Sequence, residues 1–293
     1  MKIYDCFTFF NELELLELRL ASLWDVVDRF VIVEADKTHA NAPKPFNFYE
    51  NLRAYEKYLP KIEYVMDSSV VPYKGVGDWS IENHQRNSIM QGLTDAAPDD
   101  LIMISDADEF PDPAIVKTIR ESFTDKTKRV DLVAFYDTAP YTRGKLVPFH
   151  CGMRISDFLN LSPASFKQNF HSYYLDWVNR SLIWTGTVIG KFKHMKSPQA
   201  FRNAREILPR ITNGGWHFSS MGGVDKFLEK VRSAPDFRNF ADVDKKFLEE
   251  AMKSGKYLLT TAKFVSCDVS EIKLPALKDF LKKYPHFVKG KNT

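Results

Sequence analysis

Asp106, Asp108 and Glu109 place three carboxylates within four positions, in the run Ser105-Asp106-Ala107-Asp108-Glu109. Leu101-Ile102-Met103-Ile104 before them is an apolar stretch of strand length, and Phe110-Pro111-Asp112-Pro113 after them ends the strand. The pattern predicts an acidic turn just past the carboxyl end of a buried strand, where open α/β sheets bind their ligands. Like charges this close repel, and partial desolvation raises the cost unless something cationic sits among them. A divalent metal is the simplest such partner, and carboxylate oxygens suit Mg²⁺ or Mn²⁺. A second reading is an acidic strand-to-helix turn in which Asp112 caps the next helix.

The elements that must position this turn follow an alternating order. Residues 3–9 read as a strand, and residues 12–23 as a helix with leucines at 13, 16, 20 and 23. Residues 30–34 form a second predicted strand and 50–58 a helical stretch that stops at Pro60; a third strand covers 62–66. Residues 81–93 read as a helix that leads into the strand before the acidic turn. This β-α-β-α-β-α-β order predicts an α/β fold with a mostly parallel, doubly wound sheet flanked by helices. The second half is less regular. A strand is expected at 130–136, aromatic-rich pieces lie at 170–174 and 184–187, and helical patterns return at 224–232, 242–254 and 274–284. Between them, glycine pairs at 214–215 and 222–223 bracket Trp216-His217-Phe218-Ser219, consistent with close backbone approach or with a bend in a sheet. The expected organisation is one domain over residues 1–223, with a helical C-terminal extension, 224–293, packed on it.

Composition narrows the function classes. The chain has 293 residues, 44% hydrophobic and 27% charged, values ordinary for a soluble globular protein. A net charge of +3 without a basic stripe argues against a nucleic-acid partner. No apolar run is long enough to span a membrane, and Cys6, Cys151 and Cys267 are too scattered for a zinc site or disulfide framework. A reducing, cytoplasmic setting is the expectation. The amphipathic basic tail at 277–284 suits either a docked terminal helix or weak contact with an anionic membrane surface.

Four ordered motifs carry a family resemblance. They are Asp5-Cys6-Phe7-Thr8-Phe9-Phe10-Asn11-Glu12 with the leucine-rich helix after it, Phe30-Val31-Ile32-Val33-Glu34-Ala35-Asp36-Lys37-Thr38-His39, the acidic turn with Phe110-Pro111, and Gly215-Trp216-His217-Phe218-Ser219. Together they resemble glycosyltransferase family 17 across roughly residues 3–225. The resemblance implies a GT-A type, Rossmann-like fold and an inverting N-acetylglucosaminyltransferase-like activity, with UDP-GlcNAc as donor, a glycan acceptor and Mn²⁺ or Mg²⁺ as cofactor.

It also implies roles. Asp106 would contact the ribose or a metal-bound water, Asp108 would coordinate the metal, and Glu109 would support the site or bind the donor sugar. His217 is a candidate further metal ligand or, alternatively, a packed structural histidine. Asn11 and Glu12 would line the nucleoside pocket, and Arg86 with Asn87 would meet the donor diphosphate, Arg86 through a fork that matches phosphate oxygens. Each of Glu12 and Arg86 also reads as an ordinary helix residue. Asp36, Lys37, Thr38 and His39 are rim candidates. Arg202, Arg205 and Arg210 would face an acidic acceptor or form a solvated basic face. Trp177, Trp184 and Trp216 would stack on a sugar ring, Trp216 at the donor, or fill the core. An inverting displacement needs a general base, for which Asp225, Asp137 and Glu206 are candidates. A metal-dependent nucleotidyltransferase, a sugar-nucleotide hydrolase and a non-catalytic glycan-binding descendant remain alternatives.

Overall fold

Strand residues in the first half divide alternately between two cores. A computed structural model of the chain describes residues 1–75, 77–137, 146–233, 237, 240, 242–259 and 263–289, without the side chains of 135–137, 146–149 and 183. In β1 (Ile3–Phe9), Ile3, Phe7 and Phe9 enter one core while Tyr4 and Cys6 enter the other. The same division runs through β2 (Arg29–Ala35) and β4 (Leu101–Asp106): Phe30, Ile32, Leu101 and Met103 face one way, and Val31, Val33, Ile102 and Ile104 the other. Side chains alternate across a strand with period two, so a sheet covered on both faces yields these unbroken apolar runs. Helix α1 (Leu13–Leu23) covers the first face with Leu16, Leu20 and Leu23.

Strand β3 (Ile62–Asp67) completes a parallel set in the order β3-β2-β1-β4, joined through α1, α2 (Asn47–Glu50) and α3 (Ser80–Asn87). The two longer helices expected at 50–58 and 81–93 are partly tighter 3₁₀ turns, at Leu52–Lys61 and Ser88–Gly92. Pro60 lies inside the first of these and cannot supply the backbone N–H that an α-helix needs.

Beyond β4 the pairing is mostly antiparallel, with two parallel exceptions, β8 to β10 and β8 to β11. After β5 (Glu109–Pro111) and α4 (Pro113–Glu121) come β6 (Leu132–Asp137), β7 (Leu146–His150) and α5 (Ile155–Leu159). The aromatic-rich pieces are two long strands, β8 (Ala164–Ser172) and β9 (Trp177–Lys191), and β9 pairs with β4. The remaining elements are α6 (Pro198–Asn203), β10 (Arg210–Ile211), β11 (Gly215–Ser219), α7 (Val224–Ser233), α8 (Lys245–Ser254), β12 (Val265–Ser266) and α9 (Leu277–Lys283). The sheet is therefore mixed, with its parallel half at the N-terminus.

The C-terminal helices share cores with the rest of the chain. Leu277 and Phe280 of α9 pack with Leu15 and Leu18 of α1, while Phe227 and Val231 of α7 pack with Phe170 of β8. The apolar face of α9 is thus spent on α1, and Lys283 and Tyr284 both reach Glu17. That placement is the docked terminal helix that the sequence offered as one of two readings of the tail. No helix among the described residues is long and apolar enough to cross a membrane.

A tight junction at β5 and β11 brings the two halves together. Gly215 pairs with Pro111, Trp216 with Phe110 and His217 with Glu109. A Cβ on Gly215 would stand 2.0 Å from the Phe110 carbonyl oxygen, and its φ of +128° suits glycine alone. Gly215→Ala is expected to cost about 2–5 kcal/mol from strain and overpacking. Urea unfolding measures this directly, and a loss below about 0.5 kcal/mol would mean that the junction is looser than described.

Candidate functional site

The acidic turn is built around a buried arginine. Arg19, on α1, donates from Nε and Nη2 to the two carboxylate oxygens of Asp5 on β1, at 2.8 and 2.6 Å. Nη2 also reaches Ser105 Oγ at 2.6 Å, and Nη1 donates to the carbonyls of Asp106, Ala107 and Glu109 at 3.1, 3.2 and 2.6 Å. The guanidinium lies over the Phe7 ring, 4.4 Å from its centroid. Arg19 and Asp5 are both fully buried. Three carbonyls converging on one cation fix the course of the backbone through the turn. Asp112 then caps α4, accepting from the Ala114 N–H at 2.8 Å, so the capping reading of the sequence also holds.

The three carboxylates have different surroundings. Asp106 accepts from Arg86 and Arg202, each at 2.8 Å. Burial pushes its carboxyl up, but the Arg202 and Arg86 guanidiniums outweigh that and hold it well below the usual carboxylate range. Glu109 is fully buried and is held by Arg202 at 2.5 Å, the Trp184 indole N–H at 2.7 Å and the Asp106 N–H at 3.0 Å. With no exposed surface, it has a positioning place, and the expectation that it touches the donor sugar does not stand.

Asp108 points to the cleft side. Its Oδ2 accepts from Lys230 on α7 at 3.0 Å, and its Oδ1 lies 3.5 Å from His217 Nε2. Burial raises this carboxyl too; Lys230 and His217 more than reverse the effect, leaving it strongly acidic. His217 stacks against Trp184 and Phe170, with ring centroids 4.0 and 4.9 Å away, in a cluster where those two rings also touch at 5.2 Å, and its Nδ1 is buried without a hydrogen-bond partner.

Other expected residues divide sharply. Asn11 and Glu12 line a cavity together with Asp108, Phe218, Gly222, Lys226 and Lys230. Glu12 also accepts from the Phe10 and Asn11 N–H groups, and Asn11 contacts Glu229 and Lys226 of α7. Lys37, Thr38 and His39 line a second cavity of about 110 Å³ with Phe10, Lys44 and Gln85, whereas Asp36 does not. Arg86 is buried, and its hydrogen bonds go to Asp106, Glu82 and Gln199 rather than to an open phosphate site. Asn87 instead accepts from the Gln199 N–H and holds the start of α6.

Several expectations are corrected by burial or position. Trp216 lies in the core with Leu15, Leu18 and Phe110, unable to stack on a donor; Trp177 is likewise buried, beside Phe170 and Phe264. Asp225 faces solvent, 79% exposed and paired with Lys245, away from both cavities, so it is not placed to act as a base. Glu206 is also surface-paired, with Arg205 and Arg210. The Asp137 side chain lies outside the described residues. Arg202 is not a solvated surface arginine but a buried partner of two carboxylates. Sequence reading missed Asp5, Arg19 and Lys230; Asp5 and Arg19 stood out only as charges within an apolar strand and helix face, and Lys230, on the charge-rich helix α7, carried no such signal.

Mn²⁺ or Mg²⁺ has a partial fit. Asp108 and His217 supply a facing oxygen and nitrogen, but Asp106 is committed to two arginines. No group of three His, Cys, Asp or Glu side chains suited to a metal occurs among the described residues.

The depressed Asp106 titration has a measurable consequence. A carboxyl whose folded pKa is lowered stabilises the protein fully above its unfolded value, near 4, and loses that contribution as pH falls through the lower folded value. Asp106→Asn should therefore lower the melting temperature by about 3–10 °C at pH 7. The gap should narrow in scans below about pH 4; a gap independent of pH would contradict the ion-pair account.

Comparison with known proteins places the first part of the chain. Residues 1–131 match Glycosyltransferase family 17. Proteins named beta-1,4-mannosyl-glycoprotein 4-beta-N-acetylglucosaminyltransferase, from Homo sapiens and Rattus norvegicus, are 34% identical over 107 residues; the Mus musculus protein of that name is 33% identical. Each match takes in 34% of this chain and spans only 20% of the relative's length. The His217 motif falls outside the family match, which ends ten residues past α4. The matched segment, residues 1–131, contains β1 through α4 and the whole acidic turn, so the likeness to glycosyltransferase family 17 takes in the parallel half of the sheet.

Proposed function

We propose that the protein is a metal-dependent, inverting glycosyltransferase of GT-A type that moves a sugar, GlcNAc from UDP-GlcNAc, to a hydroxyl of a glycan acceptor. The observation that carries this reading is the Asp108–His217 pair, 3.5 Å apart, which joins the family-matched acidic turn to β11 beside a cavity. The names of the human and rat relatives support glycosyl transfer and GlcNAc as the sugar.

In such a reaction the acceptor oxygen attacks the anomeric carbon while the bond to the diphosphate breaks. The acceptor proton passes to a base, UDP leaves with the bonding pair, and an α-linked donor gives a β-linked product. Negative charge grows on the diphosphate, so stabilising that charge lowers the barrier. A bound Mn²⁺ or Mg²⁺ would supply Lewis-acid stabilisation there, held by Asp108 and His217. Arg86 and Arg202 keep Asp106 ionised and fixed, and Glu109 holds Arg202 and Trp184 in place. Trp184 in turn stacks on His217 and sets its plane. Arg19 holds the backbone that carries Asp108. These groups preorganise the site instead of reacting.

Calorimetric titration with a panel of UDP-sugars, in Mn²⁺ and in EDTA, tests the reading. UDP-GlcNAc should bind wild type in Mn²⁺, and Asp108→Asn should weaken that binding at least tenfold while leaving the melting profile cooperative. Transfer retained at wild-type rate by Asp108→Asn would remove the role given to Asp108.

A further inference from the structure

The two cavities share Phe10, Glu12 and Lys230, so they are lobes of one cleft that meet at these residues. One lobe lies past the parallel strands, lined by Lys37, Thr38, His39 and Lys44; the other lies between α1 and α7, against Asp108. A nucleotide-sugar has the same plan. Its nucleoside and sugar flank a diphosphate that carries the charge.

Among the described residues, Arg19, Arg86, Arg202 and Lys230 touch the acidic cluster, and burial separates their roles. Side chains of Arg19, Arg86 and Arg202 are 0%, 4% and 2% exposed, and their hydrogen bonds go to carboxylates, carbonyls and the Ser105 hydroxyl inside the protein, with the Arg86 Nε buried and unpartnered. Lys230 is 29% exposed. Its ammonium contacts Asp108 at 3.0 Å and Ser219 Oγ at a marginal 3.5 Å. An ammonium carries three donors, so Lys230 retains capacity for an acceptor arriving from the cleft. Helix α7 holds it there, tied to the β1–α1 turn by Lys226 and Glu229 on Asn11.

We infer that Lys230 is the diphosphate-binding cation of this cleft, contacting the phosphate oxygens of a nucleoside diphosphate or nucleotide-sugar where the two lobes meet. The inference rests on the donor reading above and adds a residue beyond the family-matched segment. It assigns Lys230 part of the leaving-group stabilisation, because a cation at the diphosphate gains interaction energy as charge builds there.

Titration of wild type, Lys230→Met and Lys230→Arg with uridine, UDP, guanosine and GDP in Mn²⁺ tests it. Lys230→Met should weaken the bound nucleoside diphosphate by about tenfold or more, the scale of one charged hydrogen bond, and leave the corresponding nucleoside within about twofold. Lys230→Arg should recover most of the diphosphate affinity. Removing Lys230 frees Asp108 rather than disabling it, so such a loss does not trace to a weakened metal ligand. Unchanged diphosphate affinity in Lys230→Met, or an equal loss for the nucleoside, would overturn the inference while leaving the donor reading in place. Failure of wild type to bind either diphosphate would overturn both.

Discussion

Everything at this site depends on one buried guanidinium. Arg19 joins α1 to β1 through Asp5 and to β4 through Ser105, and it gathers three carbonyls of the acidic turn. A charge taken out of water is costly unless its hydrogen bonds are replaced, and here they are. Removing one partner of such a pair costs about 3–5 kcal/mol, because the other is left buried and uncompensated. The turn therefore has little freedom to relax into another shape, and the carboxylates it carries are held in fixed directions.

The second constraint is charge balance. Asp5, Asp106, Asp108 and Glu109 would repel strongly if left alone in a buried cluster, and Arg19, Arg86, Arg202 and Lys230 answer them. The protein's own cations thus meet the electrostatic demand that the sequence assigned to a metal. Distribution of these cations is uneven. Both oxygens of Asp106 are occupied by arginines, whereas Asp108 keeps one oxygen toward His217 and shares the other with a lysine that faces the cleft. Two aspartates a single residue apart therefore have different surroundings: one is held by two arginines and the other lines the cleft.

Much of the parallel half was legible because periodicity reports burial. The runs at 3–9, 30–34 and 101–104 lie within β1, β2 and β4. The antiparallel half was harder to read. Strands β8 and β9 form a hairpin that mixes aromatic and polar residues, such as Gln168, His171 and Asn179, buried where β4, β11 and β12 from distant parts of the sequence pair beside it. The same limit applied to side chains. Asp108 and His217 were visible as types in motifs, but Arg202 read as one of several spaced arginines and Trp184 as a sugar platform. Only the β5–β11 and β4–β9 pairings show that both serve Glu109. Asp225 drew attention through its glycine neighbours, yet a helix turns successive residues about 100° apart; Lys230, five residues on, faces the cleft that Asp225 does not.

A crystal structure of the protein with UDP and Mn²⁺ tests the central claim most directly. The account predicts the diphosphate beside Lys230, Mn²⁺ on Asp108 and His217, and Asp106 still held by Arg86 and Arg202 with Arg19 beneath the turn. A nucleotide bound away from the Phe10–Glu12–Lys230 junction, or Asp106 released from its arginines to bind the metal, would contradict it.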